Sequence, residues 1–229
     1  MANERETAEA FITELMAAAE PLDHVVFFAV FDNVCKDGSV DIVRKMGKVD
    51  PRIKVVWAPQ NSCPVDAYIC AYKEALNTGY EWVLEINAGY RHQPADLAQF
   101  FPLMRENYDY IFGSRFCDGG NMETNSFFRR VLAQGGTWAA NFLLGTRLSD
   151  MTSGYQMFRR DTLKKILDHG IHSRFNFFQT EMKTQCRNLN GVEVPLQYRT
   201  GSKSISTKAI REALWGLVRL TASRVAGSL

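Results

Sequence analysis

A chain of 229 residues that is 46% hydrophobic and 23% charged has the make-up of an ordinary globular protein with one sizeable core and room for a small appendage, which excludes disorder, collagen and coiled coil. Its 27 Lys and Arg against 25 Asp and Glu give a formal net charge of +2, so the whole chain offers no electrostatic case for nucleic acid and any basic site is local. Five cysteines without a C-x-x-C pair argue against a disulfide framework or a zinc site and place the expectation in a reducing, cytoplasmic compartment. The opening MANERETAEA has no basic and apolar regions of a signal peptide, and no window reaches the ~18 apolar residues of a membrane span, so the expected protein is neither secreted nor integral.

Residues 4–19 put Phe11, Ile12, Leu15, Met16 and Ala19 on one helical stripe that Pro21 ends. His24 to Phe31 is a continuous β-branched and aromatic run, the pattern of a strand buried on both faces. The alternation continues with a helix over 39–46, a strand over 53–58, a helix over 65–77, a strand over 81–86, a helix over 94–107 and a strand over 110–113. Strands alternating with helices through short turns predict a doubly wound, mostly parallel α/β sheet whose ligands bind at the carboxyl ends of the strands. After Phe127 a long helix runs to about 144, followed by a Ser/Thr/Gly turn, a strand over 155–158, helices near 161–169 and 179–189, and a strand over 192–196. We read residues 1–203 as one domain and 204–229 as a C-terminal amphipathic extension. In that extension Ile210, Leu214, Leu217, Val218 and Leu220 with Trp215 stand against Lys208, Arg211, Arg219 and Arg224. Such a helix suits an anionic membrane surface, and it equally suits packing on its own domain.

Six segments carry chemistry. D-N-V-C-K-D-G-S at 32–39 follows a buried strand, and N-S-C-P-V-D-A-Y at 61–68 opens a helix. N-A-G-Y-R-H-Q-P spans 87–94, and F-G-S-R-F at 112–116 precedes the Arg129 and Arg130 pair. D-M-T-S-G-Y-Q-M-F-R-R spans 150–160, and V-E-V-P-L-Q-Y-R-T-G-S-K spans 192–203. In this order and spacing they resemble the family 2 glycosyltransferases of GT-A fold, and within them the dolichol- and polyprenyl-phosphate mannosyltransferase branch. Asn3 and Glu4 resemble the Asn-Glu of that family's nucleotide loop, which a first strand precedes. That strand is missing from the expected sheet, so either the chain's start lies upstream or the sheet is unusual.

The resemblance implies that Asn3, Glu4, Asp32, Asn61, Asn87, Arg91 and Arg130 hold a nucleotide sugar, and that Arg115, Asp150, Arg199 and Lys203 serve catalysis at the phosphates. The family holds a divalent Mg or Mn ion with two aspartates and a glutamine, where this chain has Asn87, Gly89 and Arg91. Neutral oxygens beside a guanidinium make a poor hard-metal site, leaving Asn87 and Glu85 as its only candidate ligands. In one reading Arg91 supplies the missing positive charge and the metal is dispensed with; in the other the site has decayed. Asp37-Gly38-Ser39 reads as a turn and helix cap. His169 and His172 read as surface histidines, and His92 as structural.

The expected activity is hexosyl transfer, of mannose or glucose type, from a GDP- or UDP-sugar to a polyprenyl or dolichyl phosphate by a peripheral enzyme. Two alternatives stand beside it. One is a transferase acting on a soluble hydroxyl, with Asp150 or Glu181 as base; the other is a silent nucleotide-sugar-binding paralogue.

Overall fold

The computed structural model describes residues 1–123, 127–199 and 207–227. The predicted elements form in order. Helix α1 (Ala8–Ala18) precedes β1 (Phe27–Phe31), α2 (Ser39–Val49), β2 (Ile53–Trp57), α3 (Pro64–Asn77) and β3 (Trp82–Glu85). After β4 (Tyr110–Ser114) and a short β5 (Asn121–Glu123) come α4 (Phe127–Leu144), β6 (Gln156–Arg159), α5 (Arg160–His169), α6 (Phe178–Gln185), β7 (Gly191–Pro195), β8 (Gln197–Arg199) and α7 (Thr207–Val225).

Three expectations need correction. The helix predicted over 94–107 is two 3-10 segments, Pro94–Gln99 and Phe101–Arg105. Pro102 carries no N–H to continue a helical ladder, so the segment breaks there. The sheet is also less parallel than the alternation suggested. β6 runs antiparallel between β3 and β4 in a four-stranded sheet of order β3-β6-β4-β7, because its hydrophobic run satisfies a strand in either direction. Finally β5 and β8 form a parallel pair that their three-residue lengths hid from pattern reading.

β1 and β2 pair in parallel as a separate two-stranded sheet. Among the described residues β1 has no second partner and neither does β3, so the expectation of a missing first strand meets two open edges. Helix α3 packs against both β1 and β3, and the Met1 amine donates to the Val30 carbonyl at 2.5 Å.

The four-stranded sheet is buried on both faces. Tyr110, Phe112 and Phe158 join the cluster beneath α3, α5 and α6, while Ile111, Met157 and Val194 face the other way with Phe100 and Tyr155. Helix α6 is polar in sequence yet nearly wholly buried, and it carries Glu181 and Lys183 into the interior. Helices α4 and α7 pack on each other through Ala140, Leu144, Leu217 and Leu220 against Phe177 and Met151. Arg219 of α7 pairs with buried Glu181. Burial alone would raise the Glu181 carboxyl, but N–H donors from Ser173 (2.8 Å) and His172 (3.1 Å) and the Arg219 charge hold it below its ordinary value. Helix α7 is therefore tied to the fold on one side, and the 203/204 boundary itself lies outside the described residues.

Candidate active site

The ends of β1, β3 and β4 and the 149–154 turn bring most of the singled-out residues together. Asn3 has a left-handed backbone (φ 58°) and clamps the loop after β1: its Nδ2 donates to the Val34 carbonyl (3.1 Å) and its Oδ1 accepts from Lys36 N–H (2.9 Å). Asp32 accepts the Val34 N–H at 2.9 Å through Oδ1, and its second carboxylate oxygen has no hydrogen-bond partner among the described residues. Asp37 accepts the Ser39 N–H at 3.0 Å and Ser39 hydroxyl at 2.5 Å, and these bonds hold its carboxyl down at about 2, in a turn and cap at the start of α2. The Glu4 carboxylate lies against Gly89, where an added Cβ would come within 2.6 Å of Oε2. Gly89 has φ 75°, the left-handed conformation that favours glycine there. Asn61 lies half-buried after β2, and its Nδ2 has no hydrogen-bond partner among the described residues.

The floor of the site is a buried polar network. Glu85 accepts from the Tyr72 hydroxyl and from Gln156 Nε2 (2.9 Å) at one oxygen, and from Gln179 Nε2 (2.6 Å) at the other. Burial pushes its carboxyl up to about 7 despite these donors. Asn87 Oδ1 accepts from the Tyr68 hydroxyl at 2.5 Å, and the Asn87 N–H donates to His92 Nδ1 at 3.2 Å. His92 is buried and stacked on Tyr155, and burial pushes its imidazole down to about 3, so it is neutral with its proton on the unpartnered Nε2. Gly154 closes this floor against the 150–154 turn, since a Cβ there would stand 2.6 Å from Gln179 Nε2 and 3.1 Å from both Asn87 Nδ2 and Glu85 Oε1.

These contacts answer whether a divalent ion fits. The Glu85 and Asn87 oxygens already accept from the protein, and Gly89 and Arg91 offer none. Among the described residues no group of three or more His, Cys, Asp or Glu stands ready for a metal. The residues at 85–91 therefore do not fit a hard cation, and Glu85 is a hydrogen-bond acceptor of the floor rather than an open ligand.

Arg115 and Asp150 form the electrostatic centre. Arg115 Nε and Nη2 donate to the two Asp150 oxygens at 2.7 and 2.8 Å, with both side chains buried. The Arg115 N–H (3.1 Å) and the Thr152 and Ser153 N–H groups (3.0 and 3.1 Å) add to the same carboxylate. Lys183, also buried, donates to the Asp150 carbonyl at 2.6 Å, and Glu193 accepts the Ser149 and Asp150 N–H groups at 2.7 and 3.1 Å. Burial would raise the Asp150 carboxyl, but the Arg115 guanidinium overrides it and holds it far below the carboxylate range. Asp150 is thus a closed ion-pair partner, with no oxygen left as a proton acceptor.

The remaining cations stand outside. Arg91 is exposed with no side-chain hydrogen bond or ion pair among the described residues, and its carbonyl accepts the Arg199 N–H at 3.0 Å, which sets the two arginines on adjacent segments. Arg199 meets exposed Glu123 at 3.2 Å. Arg130 lies exposed in the first turn of α4, and Lys203 lies outside the described residues. Sequence reasoning missed Lys183, Tyr72 and Gln179, whose polar character within helices gives no sign that they are buried. Tyr68, Gln156 and Glu193 lay within the quoted motifs without a role, and only their contacts assign one. Removing one partner of a buried pair leaves an uncompensated charge, so Asp150→Asn is expected to cost about 3–5 kcal/mol in urea unfolding at pH 7. The carboxyl's lowered folded pKa makes its stabilisation fully present above the unfolded value of ~3.9 and lost as pH falls below it, so wild type and variant converge in strong acid. Equal stability at pH 7 would overturn the assignment.

The family model described as Glycosyl transferase family 2 matches residues 1–167. A polyprenol monophosphomannose synthase of Mycolicibacterium smegmatis is 29% identical over 94% of this chain and 84% of its own length. An undecaprenyl-phosphate mannosyltransferase of Micrococcus luteus is 30% identical over 82% of this chain and 81% of its own. Among solved structures, glucosyl-3-phosphoglycerate synthase from Mycobacterium tuberculosis in complex with Mn2+, UDP and phosphoglyceric acid superposes with a TM-score of 0.63 at 13% identity. It covers 98% of this chain and 75% of that one, and so shares the GT-A fold. With six motifs in order and a family model over most of its length, the chain belongs to glycosyl transferase family 2.

Proposed function

We propose that the protein transfers a hexosyl group of mannose type from a guanosine or uridine diphosphate sugar to a polyprenyl phosphate at a membrane surface. The observation that carries this reading is the state of the carboxylates. Asp150 is closed by Arg115, Glu181 by Arg219 and two N–H donors, and Glu85 by the floor network. A hydroxyl acceptor needs a base to take its proton. A phosphate acceptor is already anionic, so an acceptor oxygen can attack the anomeric carbon while the bond to the nucleotide's β-phosphate breaks, with no proton to remove. The names of the relatives over 94% and 82% of the chain point to the same acceptor class.

Catalysis then rests on alignment and on stabilising the charge of the departing diphosphate. Asn3, Glu4 and Asp32 would receive the nucleoside, with Asn61 and Asn87 beside it. Arg91 and Arg199 would face the phosphates, supported by Arg130 and Lys203. The engaged donor set at 85–91 also suits the second reading, a nucleotide-sugar binder without transfer.

For contact with the lipid phase, α7 presents Leu214, Trp215 and Val218, all at least 60% exposed, beside Lys208 and Arg211. Its opposite face is held by Leu217, Leu220 and the Arg219–Glu181 pair. One helix thus packs on its domain and offers a basic apolar face outward. No helix among the described residues is long and apolar enough to cross a membrane.

Labelled mannose is expected to pass from GDP-mannose to undecaprenyl phosphate in vesicles, read as organic-phase label. Nucleotide binding in calorimetry without transfer from any GDP- or UDP-hexose would select the binder. Arg91→Ala should weaken GDP or UDP binding roughly 10- to 100-fold, the worth of one or two charge-assisted hydrogen bonds, while leaving the melting temperature unchanged; full affinity in the variant would sink the role of Arg91. Trp215→Glu should reduce co-sedimentation with phosphatidylglycerol vesicles about fivefold or more, and undiminished sedimentation would remove α7 from the membrane contact.

A further inference from the structure

A hollow of about 490 Å³ opens between β7, the segment leaving α6 and the loop that follows α4. That volume lies within the ~300–1,000 Å³ of small-molecule sites. None of the described residues assigned above to donor, acceptor or catalysis lines it. Its polar wall is Thr146, Arg147, Lys183, Arg187, Asn188 and Glu193, and Tyr110, two glycines and two aliphatic residues make up the rest.

The wall carries three cations against one acid, and that acid is engaged: Glu193 accepts the Ser149 and Asp150 N–H groups at 2.7 and 3.1 Å. Lys183 is wholly buried, bonded to the Asp150 carbonyl at 2.6 Å, and with Arg115 it matches the charges of Asp150 and Glu193. The surplus of positive charge therefore belongs to the arginines. Arg147 is exposed and has no hydrogen bond or ion pair among the described residues, and half-buried Arg187 lines the same hollow. A further guanidinium backs the loop: Arg224 of α7 donates to the Leu143 carbonyl at 2.8 Å and presses on Gly145, where a Cβ would stand 2.7 Å from its central carbon. Gly145 has φ 71°, so this loop is built on a left-handed glycine that also admits the arginine. At the Tyr110 end, the neighbouring Asp109 accepts the Asn190 N–H at 2.9 Å. Guanidinium groups gathered at one hollow repel each other until an anion stands between them, and their planar forks match the oxygens of a phosphate.

We propose that this hollow is a separate anion site for a small phosphate-bearing molecule, held by Arg147 and Arg187, whose occupancy reaches the candidate active site through Lys183 and Glu193. The coupling follows from the shared wall. Lys183 and Glu193 bind the backbone of the turn that carries Asp150, so a ligand seated against them acts on that turn without touching either substrate. The buried Lys183 charge adds to the attraction, since a charge in the interior is screened less than one at the surface. The hollow is larger than a phosphate group, and the Asn188 side chain and Tyr110 leave its remainder polar enough for an attached sugar or similar group. The proposal goes beyond the reading above and does not depend on it, because no step of it uses sugar transfer.

The test follows the backbone amide resonances of the full chain by NMR while inorganic phosphate, and separately ribose 5-phosphate, replaces chloride at constant ionic strength. Saturable shifts are expected at Gly145, Arg147, Arg187 and Asn188, with ribose 5-phosphate binding at least as tightly as inorganic phosphate. Arg147→Ala should weaken binding at these amides roughly tenfold, the worth of one charge-assisted hydrogen bond, and Arg147→Lys should fall between, since it keeps the charge and loses the fork. Arg147 is exposed, so both variants are expected to melt with the native chain when no phosphate is present. Arg91→Ala should leave the same shifts unchanged, which separates this site from the proposed donor site. The amides of Thr152, Ser153 and Gly154 should move with the same midpoint as those of the hollow. Shifts that do not saturate, shifts confined to residues 87–91 and 199, or an unaltered affinity in Arg147→Ala would overturn the site. Exclusion of ribose 5-phosphate would overturn the organic ligand, and an unmoved turn at 152–154 would overturn the coupling. Each of these outcomes is read whether or not the chain transfers sugar, so failure here and failure of the proposed activity are told apart.

Discussion

The buried Arg115–Asp150 pair is the contact on which the arrangement of the site depends. A guanidinium and a carboxylate taken out of water each carry a desolvation cost of several kcal/mol, and such a pair persists only where geometry and further hydrogen bonds offset it. Here they do. The fork is bidentate, three backbone N–H groups complete the carboxylate, and Tyr198 and Phe116 lie against the guanidinium at 5.1 Å. Lys183 and Glu193 extend the cluster to α6 and β7. Four segments that are distant in sequence are thereby locked at the end of β4, and the turn at 150–154 is pressed onto the Glu85 and Asn87 floor through Gly154.

This rigidity divides the charges of the molecule into two groups. Those in the interior are neutralised or protonation-shifted and hold shape: Asp150, Glu181, Lys183 and Glu85. Arg91, Arg130 and Arg199 remain at the surface, where a polyanionic donor and acceptor would meet them. A fold that keeps its buried acids occupied and its cations accessible suits phosphate-to-phosphate chemistry, because both substrates bring negative charge and neither needs a base. The altered segment at 87–91 fits the same division, having exchanged open oxygens for Tyr68-bound Asn87 and exposed Arg91.

The two outer helices follow a related logic. Both α4 and α7 turn one apolar face toward Phe177 and Met151 and leave a second apolar stripe uncovered. An amphipathic helix that only packed on a domain would need a single stripe. The second stripe, rich in aromatic residues and accompanied by arginines, is costly in water and favourable at a lipid interface.

Much of this was legible in the sequence. The period-two and helical patterns located nearly every long element, since burial on one or two faces imposes a repeat on the order of the residues. The order of the six motifs gave the family, and D-G-S at 37–39 its turn. The sequence also shows directly that the carboxylates expected at 87–91 are absent, because residue identity is all that question requires. Other features belonged to the tertiary structure. Strand direction in β6 depends on long-range pairing, and the short β5 and β8 have too few residues for a period. The pairing of Arg115 with Asp150 joins positions 35 residues apart, and whether α6 is buried is decided by what packs around it rather than by its polar sequence. A sequence determines which groups can ionise and which faces are apolar; which charges are matched, and which apolar faces stay open, is decided only when the folded chain brings distant segments together and removes water from between them.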